Sequence, residues 1–230
     1  MSITNLITTF LAIGTLAIGT HSVTAQSTDR YIGVDAIASA PSNSFSGFNT
    51  AGGFDNRDTQ SAEYAGLSFT YGVRDALTWR GMAITPEVEL AWFSDYNTVS
   101  ASFPGLPNPS FFYRSNIQTG RLGVNFWSPF AAGTDWRTEL GVGLGAVYRE
   151  FSTDDNVVQG TSSGLTPYGL LGVRYLKDIG EKGRLTVGVN VVTTGDSKLA
   201  LSTGFGPAGD LSVKTTSPEI RIGYQFLLGK

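Results

Sequence analysis

Cysteine is absent from the 230 residues, so neither a disulfide framework nor a thiolate metal site can form. Histidine occurs once, at His21. Charged residues make up only 15 % of the chain and the formal net charge is −3, which leaves no basic footprint for nucleic acid. Beyond the first 25 residues, no run approaches the ~18 consecutive apolar residues of a spanning helix. The mean hydropathy of +0.00 is too polar for a bundle of membrane helices. If this chain enters a membrane, it must cross as strands closed into a barrel.

The N-terminus reads as an export signal. Leu6 to Ile18 is an apolar core, and Val23-Thr24-Ala25 is a small-residue cleavage site before Gln26. No Lys or Arg precedes that core, and the alternative is an N-terminal anchor. The segment is short and carries Gly and Thr, which favours cleavage. Residues 1–25 are therefore expected to be a signal peptide and residues 26–230 the mature domain. His21 falls in the leader, so the mature chain has no imidazole for a Ser–His or His–Asp mechanism. No enzyme, catalytic residue, cofactor or metal ligand set is expected.

What the sequence does hold is alternation, and successive side chains of a strand face opposite sides. In the stretch from Pro218 to Phe226, Ile220, Ile222, Tyr224 and Phe226 share one face, while Glu219, Arg221, Gly223 and Gln225 share the other. Seven earlier stretches repeat the pattern, near 30–38, 61–73, 82–93, 111–127, 136–151, 165–176 and 184–192. Pro86 cannot donate a ladder bond, so an irregularity is expected there. The first half of 111–127 alternates poorly, so a register shift is expected in it. Connections run long, short, long, short, long, short, long. The long ones are Ser39–Gln60, Ser94–Pro109, Ser152–Gly164 and Thr193–Thr216. A transmembrane barrel alternates this way because tight turns lie on the periplasmic side and long loops outside. A soluble ligand-binding barrel is the alternative, but it would need an apolar interior or an apolar face in water.

Two residue sets follow from the strand faces and ends. Asp35, Glu87, Glu89, Arg121, Arg137, Glu139, Arg174, Glu219 and Arg221 fall on inward faces and are expected to form a lumen charge network. An eight-stranded barrel is barely wider than its own side chains, and unpaired buried ions are costly, so these charges should pair and plug the lumen. A charged ion path is the other reading. Tyr31, Tyr71, Trp79, Trp92, Trp127, Trp136, Tyr175, Tyr224 and Phe226 lie near strand ends and are expected to form aromatic girdles.

Other patterns carry less. Gly204-Phe205-Gly206-Pro207-Ala208-Gly209 matches GxGxxG but sits in a loop without a βαβ unit. Glu87 and Glu89 share a face, yet a filled lumen offers an acid/base pair no substrate cleft. Asp154 and Asp155 could at most contribute to a loop Ca²⁺ site.

With its eight strands, alternating loops, the run from Thr166 to Tyr175 and the aromatic last strand, the chain resembles the small eight-stranded outer-membrane barrels of the OmpA/OmpX type. The resemblance implies an all-β fold: a closed, antiparallel, transmembrane barrel in a bacterial outer membrane. The expected role is structural or surface-interacting, carried by the four external loops, with a narrow porin-like channel as the alternative. Implied partners are outer-membrane lipid and lipopolysaccharide, the barrel-insertion machinery that reads Tyr224 and Phe226, and a host or cell-surface ligand. A monomer is expected, with no nucleic acid and no peptidoglycan-binding domain.

Overall fold

A computed structural model describes residues 29–49, 54–101 and 112–228. The expected signal peptide, 1–25, lies outside them. The described residues form thirteen strands. In chain order these are β1 Arg30–Ser39, β2 Ser42–Asn49, β3 Phe54–Ser61, β4 Tyr64–Val73, β5 Leu77–Trp79, β6 Met82–Phe93 and β7 Tyr96–Ala101. They continue with β8 Phe112–Ala132, β9 Trp136–Asp154, β10 Gln159–Ile179, β11 Gly183–Thr194, β12 Ser197–Thr203 and β13 Gly206–Leu227.

Eight of them close a ring in the order β1-β4-β6-β8-β9-β10-β11-β13, all pairs antiparallel, with β13 returning to β1 from Tyr31↔Leu227 to Ser39↔Glu219. Closure removes the unpaired edges that hydrocarbon would not tolerate. The outward face is apolar on all eight strands. Leu67, Leu90, Val124, Val142, Leu171, Val189 and Ile222, with Val34 on β1, stand on it, and Leu171 is 65 % exposed. In water this belt would be unsatisfied; a bilayer covers it.

The long connections are the main departure from expectation. They are not irregular loops but further β-structure. A tilted strand crosses the hydrocarbon core in about 9–11 residues, whereas β8, β10 and β13 have 21, 21 and 22. Their outer halves project beyond the membrane and recruit additional strands. The β2–β3 hairpin pairs with β13 through Gly209↔Asn49 to Thr216↔Ser42, β12 pairs with β13, and β7 pairs with β8. The barrel wall thus continues upward as a second, external tier.

Of two local expectations, the irregularity at Pro86 occurs on one side of its strand and the register shift early in β8 does not occur. No register shift occurs at Pro86 on the β8 side, where it pairs in register with Phe126. The irregularity lies on the other side, where the ladder to β4 stops at Gly72↔Glu87 and that to β5 resumes at Leu77↔Ile84. Pro86 falls in that gap, where a missing N–H costs nothing. The first half of β8 keeps register with β9 from Arg114↔Asp154 onward; the one shift sits at the far end, between Pro129 and Ala131. The sequence looked irregular there because Tyr113 and Ile117 face inward, not outward.

At the periplasmic side β5 and β6 join through Arg80 and Gly81, both with positive φ (50° and 81°). That is the two-residue hairpin geometry that matches strand twist.

Candidate functional site

The interior of the membrane-spanning half is an ion-pair lattice, and period-2 alternation puts it there. On β6, Glu87 and Glu89 face in; on β8, Arg121; on β9, Arg137 and Glu139; on β10, Arg174; on β13, Glu219 and Arg221. All eight are buried. The ninth expected member, Asp35, is half-buried and makes hydrogen bonds instead, accepting from the hydroxyls of Ser68 (3.1 Å) and Thr186 (2.9 Å).

The structure divides these groups into two clusters. In the upper one, four residues form a ring. Arg121 bridges Glu89 (2.8 Å) and Glu219 (2.7 Å), and Arg221 bridges the same two carboxylates at 2.8 Å each. The Asn125 amide also donates to Glu89 Oε2, at 2.9 Å, beside Arg221. Each guanidinium is a planar fork matched to a carboxylate, so the ring satisfies charge and hydrogen bonding together. The Arg121 guanidinium also lies 5.2 Å from the ring centroids of both Phe93 and Tyr168.

The lower cluster centres on Arg174, which contacts Glu87 and Glu139 at 2.7 Å each and lies 4.2 Å over the Trp127 ring. Arg137 pairs with Glu139 and, at 3.0 Å, with Asp75 of the β4–β5 turn. The Tyr31 hydroxyl donates to Glu87 at 2.6 Å. Glu87 and Glu89 therefore belong to different clusters and face no shared cleft.

Tyr31 and Trp127 correct the girdle reading. Both point into the lumen and are buried, at 1 % and 3 % exposure. Both lie on the inward parity of their strands, Tyr31 opposite Ile32 and Trp127 with Arg121 and Asn125. Room for them comes from inward glycines. A Cβ on Gly72 would enter the Tyr31 ring, and one on Gly141 would enter Trp127. The other seven aromatics face outward: Tyr71, Trp79, Trp92, Trp136, Tyr175 and Phe226 are exposed and Tyr224 half-exposed.

Above the ionic ring the interior inverts. Phe45, Tyr96, Tyr113, Ile117, Phe151, Val158, Leu199, Leu201, Ala208, Leu211 and Val213 pack into one buried apolar cluster. Every member comes from the external tier. Between ring and cluster lies a cavity of about 20 Å³, lined by Tyr64, Tyr96, Thr119, Arg121, Arg149 and Thr215 among others. That is space for roughly one water.

At the external rim an open polar groove of about 560 Å³ runs between the ends of β7, β8, β9, β10 and β12, with Asn97, Arg114, Asn116, Asp154, Gln159 and Ser202 on its walls. Asp154 and Asp155 serve the β9–β10 turn: Asp154 accepts from the Asn156 N–H, and Asp155 from the N–H groups of Val157 and Val158. The GxGxxG run lies at the start of β13, away from any helix.

Sequence reasoning missed Asp75 and Arg149. Asp75 sits in a turn, where alternation is silent. Arg149 was legible, because it shares odd parity with Arg137 and Glu139 on β9.

No family model and no curated protein matches the chain. Solved structures do. The outer membrane protease OmpT from Escherichia coli aligns over 89 % of this chain and 99 % of its own, with TM-score 0.55 and 7 % identity. The outer membrane protein OprG from Pseudomonas aeruginosa aligns over 86 % and 96 %, with TM-score 0.55 and 18 % identity. Neisserial surface protein A aligns over 86 % and 97 %, with TM-score 0.43 and 15 % identity. Closed eight-stranded ring, outward apolar belt, ionic interior and the architecture shared with OmpT and OprG agree: this chain has the fold of a small outer-membrane β-barrel.

Proposed function

We propose that the protein is a closed membrane scaffold whose work is done on its external face, a structural or surface-interaction role and not a conduit. The observation that carries this reading is the ring of Arg121, Glu89, Arg221 and Glu219. It spans the lumen from three strands, with every carboxylate held by two guanidinium groups. The packed apolar cluster above it supports the same reading. A conducting path would need water past both. Nor is an enzymatic role favoured, because the buried carboxylates are spent in ion pairs.

The rigid external tier would then present its polar rim groove to a ligand rich in hydrogen-bonding groups, such as a cell-surface or host glycan. Lipid and lipopolysaccharide would cover the apolar belt, and the insertion machinery would engage the last strand. The test is conductance of residues 26–230, refolded into a planar bilayer, beside the neutralised variants Arg121→Gln, Arg137→Gln and Glu139→Gln. Silence from folded protein is expected. Steady conductance that changes with those substitutions would overturn the proposal in favour of a narrow channel. A binding screen against glycans, repeated with Arg114→Ala and Gln159→Ala, tests the groove.

A further inference from the structure

Six arginines are buried among the described residues: Arg121, Arg137, Arg149, Arg174, Arg184 and Arg221. Five of them contact a carboxylate within 3.0 Å, Arg184 reaching Asp178 at 2.6 Å. Arg149 is the exception. At 2 % exposure, its guanidinium meets only neutral oxygens. One terminal nitrogen donates to Ser197 Oγ (3.0 Å) and the Val213 carbonyl (3.3 Å). The other donates to Thr194 Oγ1 and Thr215 Oγ1, at 3.0 Å each. Its Nε–H is buried with no acceptor. A buried cation without a counter-charge is strongly disfavoured in a low-dielectric interior.

The 20 Å³ cavity adjoins this residue. Two of its other walls, Tyr96 and Thr215, turn their hydroxyls to the Asn43 carbonyl oxygen at 2.9 Å each, which leaves the Asn43 amide N–H₂ a second buried donor without an acceptor. A buried positive charge and a space of one small sphere thus meet between the ionic ring and the apolar cluster, and the unpartnered Asn43 amide is tied to two of the cavity walls.

We propose that this is an internal anion site, and that a single chloride ion held by Arg149 neutralises it. The volume excludes phosphate, sulfate and any carboxylate-bearing metabolite. The site also explains why the β9 arginine at this height needs no acidic partner: its counter-charge is recruited from solvent during folding.

The experiment needs only the intact refolded protein. Crystals grown or soaked in bromide should show one anomalous peak within hydrogen-bonding distance of Arg149. Unfolding midpoints in detergent, at constant ionic strength, should be about 2–4 °C higher in chloride than in gluconate. Arg149→Met should erase that difference. Thr119→Leu should do the same by filling the cavity with the arginine intact, which covers the case of a poorly folding Arg149 variant. No bromide peak, a water refined at the position, or equal midpoints in the two salts would each overturn the proposal. So would an anion dependence unchanged by Thr119→Leu.

Discussion

On β13, Glu219 and Arg221 face the lumen within the membrane-spanning half; a few residues earlier, on the same face of the same strand, Val213 and Leu211 face the interior of the external tier. On β8 the inward series runs Trp127, Asn125, Arg121, Thr119, Ile117, Tyr113. From Tyr113 to Trp127 on β8 and from Leu211 to Arg221 on β13 parity holds, but polarity inverts. The reason is what lies outside. Where the outer face meets lipid it must be apolar, and polar groups are left to fill the inside. Where the outer face meets water, the ordinary rule returns and apolar side chains are buried. One wall thus encloses two cores, one held by charge and one by the hydrophobic effect, meeting at Arg149.

The sharpest way to break this comparison is to break the ring. Glu89→Ala strips Arg121 and Arg221 of a shared carboxylate and leaves buried charge uncompensated. The loss expected on urea unfolding of the refolded protein is about 3–5 kcal/mol. Replacing all four ring members by apolar residues of similar size should lose far less, because no ion is then left unpaired; equal losses would mean that packing, not charge, holds the lower tier. In the external core, Leu211→Ala should cost about 2–5 kcal/mol by transfer and cavity formation. That loss should stay local. Protease should cut the external tier faster while the heat-modifiable gel mobility of the barrel persists, and joint loss of both would make the tiers one cooperative unit.

Smaller effects refine the boundary further. Gly141→Ala pushes a methyl into Trp127. About 1–3 kcal/mol of overpacking is expected, with a change in Trp fluorescence as Trp127 shifts over Arg174. At the periplasmic rim, burial raises the Asp75 carboxyl, but hydrogen bonds and charge from Arg137 outweigh it and hold the group below its ordinary 3.8. A carboxyl lowered on folding contributes stability that is complete above its unfolded value and disappears as pH falls through the folded one. Acid unfolding below about pH 4 should therefore be shallower in Asp75→Asn. The same slope in both proteins would show that the rim pair adds nothing.

Much of this was legible from alternation alone. The eight strands of the ring, its closure and the inward set Glu87, Glu89, Arg121, Arg137, Glu139, Arg174, Glu219 and Arg221 all follow from period 2 and connection lengths. Pairing was not legible. Arg221 meets Glu89 across the lumen, and no local pattern encodes a contact between strands that are not neighbours. Tyr31 and Trp127 were misread because a general preference of rings for interfaces was set above their parity. The external tier was misread because Ser42–Asn49 is mostly Ser, Gly and Asn and Ser197–Thr203 is short, so that both read as loop until β13 supplies a partner edge.

The seam between β1 and β13 has a consequence for the order of folding. It joins Tyr31 to Leu227, the largest sequence separation of any strand pairing described, so its loop-closure entropy is the highest. Until it forms, β1 and β13 each carry a row of unpaired N–H and C=O groups that hydrocarbon penalises heavily. A barrel inserted first and closed later would carry both open edges in hydrocarbon. Insertion and closure are therefore coupled, the two edges meeting as the strands enter the hydrocarbon.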